Sequence, residues 1–78
     1  MNRGRSRIVR YLGEPGELVG VHAAPGQEVP LGYHLASVES SKAIMDVTAP
    51  YEGVVVRVYR SEGAHVKNRS PLFDLRQV

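Results

Sequence analysis

Displaced by 37 positions, this sequence falls on itself. Gly16 then lies on Gly53, Val19 on Val56, Val21 on Val58, Gly26 on Gly63, Val29 on Val66 and Leu35 on Leu72, and residues 10–38 run against residues 47–75 with no gap. The stretch Pro25-Gly26-Gln27-Glu28-Val29 answers Glu62-Gly63-Ala64-His65-Val66. A self-match this long means two copies of one supersecondary unit. Each unit has an apolar face and is too small to bury it alone. Two units closing face to face share one core.

The unit is built of strands. Eight Gly and five Pro punctuate the chain, and between them lie short runs of Val, Leu, Ile and Tyr, the pattern of short strands joined by tight turns. Strands are expected at 7–12, 18–23, 34–39, 43–48, 54–60 and 71–76, with shorter ones near 28–30 and 65–67. The fold class is therefore all-β: a flattened barrel-sandwich of two four-stranded antiparallel sheets with internal quasi-twofold symmetry. Gly26 and Gly63 mark equivalent turns, where a backbone without Cβ adopts positive φ at little cost. Side chains alternate along a strand, which points Val54, Val56 and Val58 inward and Arg57 outward. The expected core is Val19, Val21, Val29, Leu35, Val38, Met45, Val47, Val54, Val56, Val58, Val66, Leu72 and Leu75.

One segment has no counterpart in the other copy. Glu39-Ser40-Ser41-Lys42-Ala43-Ile44 joins the last strand of the first half to the first strand of the second. Serines between apolar runs predict a tight hairpin, with Lys42 near its tip and far from the core.

Bulk properties narrow the function. A chain of 78 residues makes one domain with little room for an enclosed substrate pocket, so a carrier, subunit or recognition module is more natural than an enzyme. No cysteine is present, which removes disulfides and thiolate metal sites. No apolar run approaches a membrane span and no secretory leader pattern opens the chain, so a cytoplasmic location is expected. Arg3, Arg5, Arg7 and Arg10 precede any acid. With those four set aside, the ten basic residues fall to six against eight acidic ones. Residues 1–6 read as a flexible arginine-rich arm and residues 7–78 as one domain.

The hairpin and the strands on either side of it, from Val38 through Lys42 and Pro50 to Gly53-Val54-Val55, resemble the attachment hairpin of the lipoyl/biotinyl domain family. The likeness is to the lipoyl domains of 2-oxo acid dehydrogenase complexes in particular. Those domains carry Glu, any residue, Asp, Lys, Ala around a modified lysine, then an alternating strand, Pro and Gly-Val-Val. Gly26 and Gly32 match the family's turn glycines, and the resemblance runs from about Ile8 to Leu75. It implies the same two-sheet barrel, and a ligase that joins lipoate to the Lys42 amine as an amide, reading Glu39, Ser41 and Ala43. It also implies a swinging arm that shuttles acyl groups and electrons between the active sites of a 2-oxo acid dehydrogenase-type complex. The domain itself is then no enzyme. In the family the loop after the first strand lies close to the lysine, which makes Glu14 and Glu17 expected contacts of partner enzymes.

Biotin is the alternative cofactor, on a carrier domain of a carboxylase or decarboxylase. Biotin carriers flank their lysine with methionine, whereas Ser41 and Ala43 stand here. A second alternative is an unmodified β-barrel binding module, with nucleic acid as a possible ligand through Arg57, Tyr59 and Arg60. The acidic balance outside the arm argues against it. His22, His34 and His65 show no metal-ligand spacing. Ser40 and Ser41 beside Lys42 suggest a nucleophile and base on paper, but a hairpin tip offers no oxyanion hole.

Overall fold

The computed structural model describes residues 4–78. Within them eight strands follow one another: β1 Ser6–Arg10, β2 Gly16–Val21, β3 Glu28–Val29, β4 His34–Ser40, β5 Ile44–Thr48, β6 Gly53–Val58, β7 His65–Val66 and β8 Pro71–Gln77. Every expected strand forms, with ends displaced by at most two residues. They make two four-stranded antiparallel sheets, β1-β8-β6-β3 and β5-β4-β2-β7. Replacing each strand of one sheet by its repeat counterpart generates the other.

The two copies do not each form a sheet, as simple face-to-face closure implies. They interleave. Each sheet has a central pair from one copy (β2 and β4, or β6 and β8) and margins from the other. The turns show the exchange directly. The N–H of Gly26 donates to the carbonyl of Val55 at 2.7 Å, and that of Gly63 to the carbonyl of Leu18 at 2.8 Å. Both glycines have φ near +90° (91° and 93°).

The gapless alignment from residue 10 needs a correction. Val9 pairs with Phe73 while Val47 pairs with Ala36, and Arg69 N–H donates to Tyr11 O as Gly32 N–H does to Ala49 O. Tyr11 therefore corresponds to Ala49, 38 positions on, and the first copy has one extra residue between Tyr11 and Gly16.

Strict alternation also fails at two equivalent places. Leu18 pairs with Val38 and Gly20 with Ser37, just as Val55 pairs with Leu75 and Arg57 with Asp74. Val19 and Val56 are thus the extra residues of β-bulges, which turn their side chains outward. Val55 is fully buried, whereas Val56 is 46% exposed. Val19, Val56 and Met45 are exposed rather than core, Val54 is only half-buried, and Val21, Val47 and Val58 pack at the core's margin. The centre is Tyr11, Leu18, Val29, Leu35, Ala36, Val38, Ala49, Val55, Val66, Leu72, Phe73 and Leu75.

Gly16 and Gly53 sit where strands nearly touch. A Cβ at 16 would lie 2.5 Å from the carbonyl oxygen of Glu39, and one at 53 would overlap that of Arg76. The expected arm is shorter than the sequence suggests. Ser6 opens β1, and the two residues before it are bonded to the last strand: Gly4 N–H donates to Gln77 O, and Gln77 N–H donates to Arg5 O. Arg3 lies outside the described residues. These terminal pairs match the bond from Ser40 N–H to Ala43 O one copy earlier. The β4–β5 hairpin and the paired residues 4–6 and 76–77 therefore occupy opposite poles of a molecule measuring 39 × 20 × 18 Å.

Candidate functional site

The hairpin is closed by the bond from Ser40 N–H to Ala43 O at 2.9 Å. The Ser40 hydroxyl completes the turn. Its oxygen accepts from the N–H of Lys42 at 3.3 Å and of Ala43 at 3.4 Å, while it donates to Ala43 O at 3.2 Å. The short serine side chain closes the turn on its own backbone, as Ser, Thr, Asn and Asp do in tight turns. The hydroxyl is occupied by the turn and faces no group that would activate it. Ser41, Lys42 and Ala43 are exposed.

The loop between β1 and β2 lies against this tip. Tyr11, buried in the core, holds it by donating its hydroxyl to Glu14 O at 2.6 Å. Asn68 accepts from the N–H of Gly13 at 3.1 Å. Glu14 is thereby brought within 3.6 Å of the Lys42 amine, with side chains 54% and 77% exposed respectively. A pair this wet contributes about 0–1 kcal/mol. It registers proximity and leaves the amine accessible.

Glu39 and Glu17 face each other across β4 and β2, and Glu17 faces His65 of β7. Carboxylates directly opposite repel, and β2, β4, β5 and β7 contain no Lys or Arg to offset them. The row borders a groove of about 400 Å³ together with Ser40, Ser41 and Val66. The structure thus gathers Glu14, Glu39, Ser41, Lys42 and Ala43 at one pole, with Glu17 beside them. Sequence reasoning missed three neighbours: Tyr11, the buried anchor of the loop; His65, brought in by pairing between the copies; and Ile44, whose side chain stands exposed on the face of Glu39.

Other candidates lie elsewhere. His34 makes contacts with Asp46 at 3.2 Å and Ser37 at 2.9 Å, and its ring lies 4.8 Å from that of His22. No group of three or more His, Asp or Glu among the described residues is arranged to hold a metal ion. Arg57 covers the Tyr59 ring at 5.5 Å, on the sheet that does not bear Lys42.

Residues 10–75 match the family model described as "Biotin-requiring enzyme", the biotin/lipoyl attachment domain. The chain belongs to the biotin/lipoyl attachment family. Domains of this family are carriers rather than catalysts. Solved structures agree on the fold. A single-chain, multi-domain long-chain acyl-CoA carboxylase superposes on 94% of the chain with a TM-score of 0.86 and 27% identity. The urea carboxylase of Kluyveromyces lactis covers 90% with a TM-score of 0.77 and 23% identity. The lipoyl domain of the 2-oxoglutarate dehydrogenase complex of Azotobacter vinelandii covers 92% with a TM-score of 0.72 and 24% identity. The domain spans 7% and 6% of the two carboxylases but matches 95% of the lipoyl domain's length. No curated protein matches the sequence.

Proposed function

We propose that the domain carries lipoate in amide linkage to Lys42 and serves a 2-oxo acid dehydrogenase-type complex. The observation that carries this is the exposed amine at the tip of a hairpin closed by hydrogen bonds. Amide formation needs a free lone pair on the nitrogen. The exposed position lets a ligase reach the nitrogen from solvent, and no packed side chain blocks the acyl carbon's approach. Ser41 and Ala43 flank Lys42 where biotin carriers place methionines, which favours lipoate. When bound, the dithiolane supplies reversible acyl and electron transfer. The protein supplies a fixed base for the arm, and tethering keeps the group at high effective concentration for each enzyme visited. Glu39, Ser41 and Ala43 are the residues a ligase reads, and Glu14 and Glu17 those that partner enzymes read.

Biotin is the second reading, favoured by the likeness to the acyl-CoA carboxylase at 27% identity. Co-expression with a lipoate ligase or a biotin ligase, followed by intact mass measurement, separates the two. A lipoyl adduct absent from Lys42→Arg is the expected result. A biotinyl adduct on Lys42 moves the assignment to biotin, and no adduct with either ligase overturns the carrier role.

A further inference from the structure

Two grooves flank the Lys42 hairpin, and they differ in chemistry. One carries the Glu39–Glu17–His65 row. The other runs between the marginal strands β1 and β5, where the edges of the two sheets face each other. It has a volume of about 400 Å³; Ile8, Val9, Tyr11, Leu12, Met45 and Val47 make most of its lining, and the oppositely charged Arg10 and Asp46, with Thr48 and Pro50, complete it. Three of these large apolar side chains are left in water, Ile8 at 41%, Leu12 at 64% and Met45 at 42% exposure.

We infer that this seam is the resting berth of the acyl arm on Lys42, a step that rests on the carrier reading above. Direction supports it. The Lys42 amine already leans over the β1–β2 loop to Glu14, and Leu12 and Gly13 of that loop lead into the seam. Gly13 keeps the entrance open, since a Cβ there would meet the Tyr11 hydroxyl at 2.5 Å and the Met45 sulfur at 3.2 Å. Length supports it as well. A lysine side chain extended by an eight-carbon acyl chain is comparable to β5, whose five residues span about 17 Å.

Chemistry separates the two grooves. Methylenes gain by covering Leu12 and Met45 and gain nothing from paired carboxylates. Because the arm is tethered, even weak affinity populates the berth. It also explains why Met45 is not packed into the core. Its counterpart in the other copy is Arg7, 38 positions earlier, and both stand at the open margin.

The test uses the full chain made by chemical synthesis with Nε-octanoyl-lysine at position 42, so it does not depend on any ligase. Nuclear Overhauser contacts from the octanoyl methylenes to the side chains of Leu12, Met45 and Val47 are expected. Amide shifts relative to the unmodified chain should be confined to β1, β5 and the β1–β2 loop. In L12E/M45E, altered only at exposed positions, those contacts vanish while the dispersed spectrum of the folded domain remains. Contacts to Glu17, Glu39 or His65 instead, or no intramolecular contacts from the acyl chain, overturn the berth. Failure of both ligases to modify Lys42 overturns the carrier reading and is a separate result.

Discussion

Arg69 holds the left-handed backbone conformation, φ 75°, that Gly32 adopts at 84° in the other copy. The two residues make the same bond, each N–H donating to the carbonyl just beyond the first strand of a copy. Glycine takes this conformation freely. A residue with a Cβ pays about 1–2 kcal/mol.

Arg69→Gly is therefore expected to stabilise the domain by about 1 kcal/mol, less the added flexibility of the unfolded chain. Gly32→Ala should destabilise it by about the same amount. Urea unfolding of the three proteins under one set of conditions checks both signs. An R69G variant less stable than the parent would show that the side chain, exposed as it is, does more than tolerate the turn.

Gly53→Ala is predicted to cost about 1–3 kcal/mol, because a Cβ there would run into backbone rather than into a side chain that can turn away. Gly16→Ala meets the equivalent carbonyl in the other sheet and should behave alike. Thermal unfolding gives the ranking. Gly26→Ala is the contrast, since nothing lies within 4 Å of its added Cβ and only the positive φ is at stake.

Val55→Thr should destabilise the domain by about 1–3 kcal/mol by burying a hydroxyl in the core, while Val56→Thr stays within about 0.5 kcal/mol. This pair shows where legibility stopped. The repeat and its glycines pointed to the number of strands, their places along the chain and the exposed lysine, but not to the exchange of outer strands between the copies. Both halves carry the same bulge, so the repeat could not reveal it, and a run of three valines offers no polar residue to show which one faces water. Strict alternation then put Val56 inside and Val55 outside. Tyr11 escaped for a different reason. Its hydroxyl reaches back to its own loop, and only the packed structure shows an aromatic ring serving as the loop's anchor. Glu14, by contrast, was placed from the family resemblance, and it does lie against Lys42.

Tyr51 donates its hydroxyl to Leu75 O at 2.5 Å. Burial pushes its pKa above the ordinary phenol value, opposed by the nearby Arg7 charge. Tyr51→Phe should lose about 1 kcal/mol at neutral pH. A raised folded pKa favours the neutral phenol, so this contribution is complete below about pH 10 and is lost as pH rises through the folded value. The deficit of Tyr51→Phe should therefore narrow between neutral pH and strongly alkaline solution, measured as urea midpoints. A deficit that widens there would reverse the assignment.

Glu14→Gln should change stability by less than about 1 kcal/mol, since its pair with Lys42 stands in water. Its expected effect is on recognition: slower turnover by the partner enzyme, with ligation at Lys42 unchanged. Equal rates with the parent domain in the partner assay would remove Glu14 from the contact surface.

Each copy lends its outer strands to the other's sheet, so a half-finished chain has nothing to close upon. The β4–β5 turn by itself is a two-strand ribbon, and such ribbons are marginal in water. The tip that presents the amine therefore depends on strands from both copies, and it takes its final form only when the second copy has packed against the first.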